Sequence, residues 1–347
     1  MGEEEKRKAF LKLIEKARSV TEISDALNIS ELEVLGLVNE FKEKGNNISV
    51  KRLDDNIYLF NQGEKELLEY SYNFNTDENH EFKFILIADT RLGSKYQQLS
   101  ILNDIYRKGR EFGFNNVILC GNISAGIYPV TDIYGDTNFI HDTMGQINYI
   151  VENYPRVEGM KTYFITGKVD DSHIRQNKIN IGKHIESERD DMIYLGDYSC
   201  NVEIDKTKVQ LLSSRLAKTY TTSYRSQQQI DSYRSENKPD ILLYGGSLQM
   251  EKYSFRNVKC ITVPSVCATT REMNDKRYAN TIGAWYVDVL TNEKGELVDV
   301  KAFNSPYYVT ALDDYLTAKP LVVEEVPNSA KKSKKKSKSL SRRAFHE

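Results

Sequence analysis

Short apolar runs alternate with polar turns and amphipathic stretches along most of this chain. Four runs read as buried strands, because they are apolar throughout instead of alternating as a half-exposed strand does. They span residues 84–88, 117–120, 163–166 and 241–244. Amphipathic stretches at 97–112 and 143–153 lie between them and predict helices. This alternation predicts an α/β domain, an α+β sandwich of mixed sheets flanked by helices, over residues 82–315.

Each of the four predicted strands ends in a polar or glycine-containing turn. Because the carboxyl ends of parallel strands meet at one edge of a sheet, we expect these turns to line one pocket. In chain order the turns are Asp89-Thr90-Arg91, Gly121-Asn122, Gly167-Lys168-Val169-Asp170 and Gly245-Gly246-Ser247-Leu248.

The four turns resemble the motifs of the calcineurin-like metallophosphoesterase superfamily, which read Asp-x-His, Gly-Asp, Gly-Asn-His-Asp and Gly-His-x-His. The resemblance covers roughly residues 82–312 and is closest to the bacterial and phage branch, which carries Leu-Gly-Ser-Lys-Tyr after the first motif, as residues 92–96 do here. It implies a four-layer fold, a pair of divalent metal ions such as manganese, and a role in nucleic-acid metabolism.

Most of the side chains that hold metal in that superfamily are missing from this sequence. Arg91 stands in place of a histidine ligand, and a guanidinium that stays protonated repels a cation. Asn122 stands in place of the bridging aspartate and removes its negative charge. Lys168, Val169, Gly246 and Leu248 replace the remaining amide and imidazole groups, and the segment 211–215 lacks the family's further histidine. Since metal affinity depends on ligand number and geometry, we predict neither a bound metal nor another cofactor.

The remnant pocket predicted from these positions contains Asp89, Arg91, Asn122, Lys168, Asp170, Gly246 and Leu248. Two interpretations of its charges remain open. In the first, Arg91 and Asp89 form an ion pair that fills an inactive site. In the second, Arg91 and Lys168 together bind a phosphate group without cleaving it.

Histidine and cysteine content gives little support for another metal site. The four cysteines have no CxxC spacing and predict reduced thiols. We interpret the five histidines as solvated or locally capped side chains: His80, His141, His173, His184 and His346. No apolar stretch approaches the roughly 20 residues that span a bilayer, and the amino terminus does not resemble a signal peptide, so we expect a cytoplasmic protein without membrane contact.

Residues 1–62 predict a separate winged helix-turn-helix domain. Their pattern gives an amphipathic helix near residues 9–14, a helix at 20–30 capped by Thr21, a helix at 31–44, and two strands at 48–53 and 57–60. The third helix of such a domain often lies in a DNA major groove.

The charge of this domain weakens the case for DNA contact. It holds ten Lys and Arg against twelve Asp and Glu, and phosphate contacts dominate DNA affinity. Contact with DNA and contact with protein, including dimerisation, therefore both remain open. The basic side chains best placed to reach a DNA backbone are Lys42, Lys44, Lys51 and Arg52.

Residues 63–81 predict a linker, and residues 316–347 a carboxyl-terminal extension that ends in a disordered basic tail. The tail, residues 331–347, carries eight positive charges and one negative charge, so it cannot form a core and attracts polyanions. Nucleic acid is the favoured partner; a purely solubilising role and an anionic membrane surface are the alternatives. The basic residues are Lys331, Lys332, Lys334, Lys335, Lys336, Lys338, Arg342 and Arg343.

Two functional hypotheses follow. The favoured one is a pseudoenzyme: a phosphoesterase-fold protein without catalysis that acts in bacterial or phage DNA replication or transcription control as a DNA-binding or scaffold protein. The alternative is a metal-dependent phosphodiesterase or DNA exonuclease with an altered site that uses Asp89, Asn122, Asp170, Asp171 and His173.

Overall fold

The computed structural model describes residues 3–14, 18–43, 48–53, 56–61, 72–128, 135–214, 221–278 and 280–323. The chain divides into two compact units, Met1–Glu69 and Tyr70–Glu347. The basic tail and Lys44 lie outside the described residues, as do the side chains of Lys42, Lys51 and Arg52.

The first unit packs helices and a small antiparallel sheet around one apolar core. The sheet has the strand order β1-β3-β2, and the core centres on Phe10, Ile23, Val34 and Leu59. The winged-helix assignment of this unit stays a prediction. The described elements are α1 Glu3–Leu13, β1 Arg18–Ser19, α2 Val20–Leu27, α3 Glu31–Glu43, β2 Ile48–Leu53 and β3 Asn56–Asn61.

The second helix begins at Val20 as predicted, but the predicted cap residue, Thr21, was wrong. Helix α2 is capped by Ser19, whose hydroxyl accepts from the Glu22 amide at 3.1 Å while the Glu22 carboxylate accepts from the Ser19 amide at 3.0 Å. This reciprocal pair satisfies two free amides, which leaves Thr21 inside the helix. The helix also ends earlier than predicted, because Asn28 takes the left-handed conformation.

The second unit contains two six-stranded sheets. One has the order β16-β15-β5-β6-β8-β9 and the other β13-β14-β12-β11-β10-β4. Its strands are β4 Tyr72–Phe74, β5 Glu81–Ile87, β6 Asn116–Cys120, β7 Arg156–Val157, β8 Lys161–Thr166, β9 Met192–Asp197, β10 Ser199–Ile204, β11 Thr207–Ser213, β12 Ile241–Gly245, β13 Lys252–Phe255, β14 Val258–Thr262, β15 Ile282–Thr291, β16 Leu297–Tyr307 and β17 Val322–Val323. Its α-helices are α4 Leu99–Glu111, α5 Thr143–Asn153, α6 Asp171–Asn177, α7 Ile181–Glu188, α8 Tyr224–Ser232, α9 Arg271–Asp275 and α10 Asp314–Thr317.

The second unit has four layers, helices, sheet, sheet and helix, and an apolar cluster lies between each layer and the next. Side chains of α4, α5 and α7 pack on the outer face of the first sheet. The inner faces of the two sheets share a core that includes Phe84, Ile118 and Leu243. Ile230 of α8 packs on the outer face of the second sheet. The predicted mixed α/β class with sheets between helices is confirmed, and because both faces of the central strands are covered, those strands are apolar throughout.

Two stretches that were predicted to lie outside the domain contribute strands to it. Residues 72–74, inside the predicted linker, form β4 and pair in parallel with β10. Tyr72 and Phe74 place their rings about 5 Å from that of Tyr163. Near the other end, β17 lies within the predicted extension and pairs with β7.

Helix α4, which precedes β6, is capped by a residue from the far end of the unit. Its own N-cap residue, Gln98, makes no side-chain cap bond. Instead the buried Asp314 carboxylate accepts from the amides of Leu99 and Ser100 and from the Ser100 hydroxyl. The carboxylate thus stabilises the positive end of the helix dipole and fastens the carboxyl-terminal segment to the domain.

Asp314→Ala should therefore lower the free energy of unfolding by about 1–3 kcal/mol, because the buried Leu99 amide and the partly buried Ser100 amide lose their acceptor. Urea unfolding of the full chain, followed by circular dichroism, measures the change. Asp313→Ala is the matched control, since Asp313 is exposed and makes no side-chain cap bond to α10. Equal effects of the two substitutions would contradict the capping role of Asp314.

Candidate functional site

The four turns meet at the carboxyl edges of the two sheets. Strands β5, β6 and β8 run parallel in the first sheet, and β11 and β12 run parallel in the second. The turns after β5 and β6 are joined by backbone hydrogen bonds: the Asp89 amide donates to the Gly121 carbonyl at 3.0 Å and the Arg91 amide to the Asn122 carbonyl at 3.1 Å. Asp89, Arg91 and Asn122 all have positive φ, between 46° and 59°. Residues other than glycine seldom hold that conformation unless their surroundings fix it.

A buried ion pair occupies the centre of this edge. Arg91 Nε donates to Asp89 Oδ1 at 3.2 Å, with the side chains 6% and 1% exposed. Burial raises the pKa of Asp89, and the Arg91 charge and an Asn122 hydrogen bond oppose that rise. Burial is the largest influence on the pKa of Arg91 and lowers it, but the groups around the guanidinium, with Asp89 foremost, together outweigh burial. The pKa of Arg91 is therefore raised and the guanidinium stays protonated. The cation is therefore permanent.

Asn122 connects the ion pair to the third motif. Its Nδ2 donates to Asp89 Oδ1 at 2.9 Å, and its Oδ1 accepts from the Val169 amide at 3.0 Å. The amide nitrogen therefore faces the carboxylate, and the amide oxygen, which could otherwise be a metal ligand, is engaged by the backbone. An aspartate here could not donate to Asp89, so the Asn122 side chain suits a site without metal.

Asp170 is committed to the backbone. It accepts from the amides of Ile123, Ser124 and Gly167 at 2.8–3.2 Å and from the Ser124 hydroxyl at 2.7 Å. Burial raises its pKa, and these donors oppose the rise. With four hydrogen bonds on two oxygens, the carboxylate closes the loop instead of facing a ligand.

The fourth motif is filled by apolar side chains. Leu248 is fully buried and packs with Cys267 and Met273. Gly246 has a positive φ and a close approach to the Ser214 carbonyl: a Cβ built there would lie 2.2 Å from that oxygen. A side chain at Gly246 would therefore displace the neighbouring loop, and no imidazole could be accommodated without rearrangement.

Lys168 forms an ion pair with Asp171. Its Nζ lies 3.5 Å from Asp171 Oδ2, and that carboxylate also pairs with Arg175 at 2.7 Å. The carboxylates whose charges act on Arg91 are those of Asp89 and Glu272. A shared anion site of Arg91 and Lys168 stays a prediction, and the partners of the two cations do not favour it.

His173 is buried, so the expectation of a solvated or locally capped side chain was wrong for this residue. It lies in the first turn of α6. Its Nε2 is 3.0 Å from Ser124 Oγ and its Nδ1 is 3.0 Å from Thr143 Oγ1. Burial lowers its pKa to about 4, which keeps the ring neutral near neutral pH. Both ring nitrogens thus have hydroxyl partners.

Some groups at this edge were not singled out from the sequence. Glu272 faces a small cavity beside Arg91, and the buried Ser213 hydroxyl approaches Gly121 and Gly167. The cavity measures about 10 Å³, which holds one water molecule at most. Three buried atoms here have no protein partner: Asp89 Oδ2, Arg91 Nη2 and Ser213 Oγ. Ser213 lies in the segment 211–215, which was noted only for its missing histidine, and no spacing or motif marked Glu272.

The residues of this site do not fit a pair of divalent ions. The superfamily's metal pair would need several free anionic or imidazole donors around one centre. Here Asp89 is paired with a cation, the Asn122 side-chain oxygen accepts from the Val169 amide, and Asp170 accepts four hydrogen bonds. The remaining positions of the predicted motifs carry Val169, Gly246 and Leu248. Throughout the part of the chain that the structure describes, no three His, Cys, Asp or Glu side chains are grouped so as to hold a metal ion.

Several solved structures are similar to this chain in fold. An archaeal phosphodiesterase is 13% identical, with 65% of this chain and 100% of that chain covered and a TM-score of 0.37. A predicted phosphoesterase from Streptococcus pneumoniae is 11% identical, with 65% and 98% covered and a TM-score of 0.32. Vacuolar protein sorting 29 from Cryptosporidium parvum is 13% identical, with 65% and 98% covered and a TM-score of 0.32.

No protein-family model and no curated protein matches the sequence. The two mixed sheets packed between helices agree with the mixed α/β architecture predicted from the sequence. Among the described helices, none combines the length and apolar character that crossing a membrane requires.

Proposed function

We propose that this chain is a phosphoesterase-fold protein that binds partners and does not hydrolyse phosphoesters. The observation that carries the proposal is the closed set of Asp89, Arg91 and Asn122, in which the guanidinium occupies the ligand position of the first motif and neutralises the one clear surviving metal ligand. A substrate phosphate would meet no metal, no imidazole and a cavity that has room for one water molecule.

We further propose that the partner is nucleic acid, bound mainly through the basic tail. The support is its charge density: eight cations against one anion in residues 331–347, while the rest of the chain is net negative. Such a segment gains affinity for phosphates by counterion release, independently of sequence. A phosphoesterase-fold protein that binds nucleic acid without hydrolysing it would act as a tethering or scaffold factor in bacterial or phage DNA replication or transcription control.

The absence of hydrolysis can be measured directly. Protein purified without chelator should carry substoichiometric manganese, iron and zinc in elemental analysis. It should also leave bis-p-nitrophenyl phosphate and single-stranded DNA uncleaved when manganese is added. Two bound equivalents together with turnover would establish the nuclease alternative.

Restoring part of the motif set should not restore activity. Arg91→His with Asn122→Asp removes the cation and adds one carboxylate, but Val169, Gly246 and Leu248 still supply no ligands. We expect at most one weakly bound manganese ion in calorimetry and no turnover, because metal affinity requires the full ligand set. Turnover by this double variant would show that the missing positions are dispensable and would contradict the proposal.

Removal of the tail tests the nucleic-acid proposal. Truncation after residue 330 should weaken binding to duplex DNA, and it should reduce the slope of log affinity against log salt by up to about 7, since each neutralised phosphate contributes about 0.9. Fluorescence anisotropy at several salt concentrations measures both quantities. A full-length variant with the eight tail cations changed to Gln is the matched control for chain length and should behave like the truncation. Unchanged affinity of both variants at low salt would exclude the tail as a binding element.

A further inference from the structure

The segment that runs from α6 into α7 is basic. Residues 172–185 contain Arg175, Lys178 and Lys183 and no aspartate or glutamate. All three basic side chains are exposed. Residues 1–330 as a whole hold 40 basic and 49 acidic residues, so this part of the protein is net negative. A group of exposed cations within it creates a local positive potential that the overall composition does not explain.

The fold places these cations on the side of the candidate site. Strand β9, which follows α7, pairs in parallel with β8, so α6 and α7 carry the chain from the carboxyl edge of the sheet back to the opposite edge. The start of α7 is therefore near the carboxyl edge. Lys183 lies in the first turn of α7, whereas Glu186 and Glu188 lie in its last turn. The charges of this helix are thus separated, with the positive end toward the candidate site.

Helix stability does not account for this separation. The positive end of the helix dipole disfavours a cation in the first turn, and the negative end disfavours anions in the last turn. Lys178 and Lys183 lie on either side of the cap residue Asn180, whose side chain accepts from the Lys183 amide at 3.1 Å. Among the described residues, neither lysine has a carboxylate within ion-pair distance. The described fold therefore makes no use of these two charges.

The acidic groups of the neighbouring turn do not cancel the positive charge. Asp171 lies 2.7 Å from Arg175 and 3.5 Å from Lys168, so one carboxylate is shared by two cations. Asp170 is buried and bonded to the backbone. The accessible side chains of residues 168–185 thus include four cations, Lys168, Arg175, Lys178 and Lys183, and the single anion Asp171.

We propose that these four cations, which we call the α6–α7 surface, form a second contact for the phosphodiester backbone of nucleic acid. The inference rests on the proposed nucleic-acid function and adds a contact on the folded domain to that of the tail. Exposed Lys and Arg side chains are the usual partners of backbone phosphates, and such contacts fix the orientation of a duplex without reading its sequence. The tail then supplies affinity, and the α6–α7 surface orients the bound strand at the carboxyl edge.

Lys178→Gln with Lys183→Gln in the full chain tests the surface. The double variant should bind duplex DNA at least about threefold more weakly than the unchanged chain. The slope of log affinity against log salt should fall by up to about 2, since each neutralised phosphate contributes about 0.9. Fluorescence anisotropy over a salt series measures both quantities. Circular dichroism melting should show unchanged stability, because neither lysine has a partner in the described fold.

Lys206→Gln with Lys294→Gln is the matched control, since both lysines are exposed and the net charge changes equally. They lie at the opposite edge: Lys206 directly precedes β11, and Lys294 follows Leu290, which pairs with Glu81 at the start of β5. The control should bind DNA like the unchanged chain.

Three results would overturn the α6–α7 surface, and they are distinguishable. Equal DNA affinities of the two double variants, with an unchanged chain that binds, would remove the surface and leave the tail in place. Loss of binding to poly-glutamate without loss of binding to DNA would assign the surface to an acidic protein partner. An unchanged chain that does not bind DNA would overturn the nucleic-acid function and this inference together.

Discussion

The ion pair between Arg91 and Asp89 is the interaction on which the candidate site depends. Its guanidinium supplies the positive charge that Asp89 needs in a buried setting, and Asn122 then links the same carboxylate to the Val169 amide. Removing one charge from such a pair leaves the other buried and uncompensated, which typically costs about 3–5 kcal/mol. The site is therefore held closed by Asp89, Arg91 and Asn122, and the loops after three strands are fixed by one carboxylate and one amide.

Much of the fold could be predicted because its strands are buried on both faces. The apolar runs before Asp89, Asn122, Lys168 and Gly246 have that character, and each is a strand within a few residues of the predicted bounds. The two stretches that the sequence misplaced, β4 and β17, are only three and two residues long. Strands this short carry too few positions for periodicity to register, and they form because neighbouring strands offer an edge.

The site was predictable in its residue identities and not in its contacts. That Arg91 and Asn122 disfavour metal follows from their donor groups alone. The saturation of Asp170 by three amides, the pairing of Lys168 with Asp171 and the burial of His173 between two hydroxyls depend on which loops meet. Glu272 and Arg91 are separated in sequence by about half of the chain, and Asp314 and the start of α4 by more. No local sequence pattern predicts that such distant residues meet.

A double-mutant cycle on Asp89 and Arg91 measures the central interaction most directly. Asp89→Asn keeps a residue that tolerates positive φ, and Arg91→Met keeps an unbranched side chain. If the pair stabilises the closed site, each single substitution destabilises the chain and the double variant loses less than the sum, with a coupling of about 1–3 kcal/mol in urea unfolding. Additive effects, within about 0.5 kcal/mol, would contradict the account, since they would show that Arg91 does not serve as the built-in cation of this site.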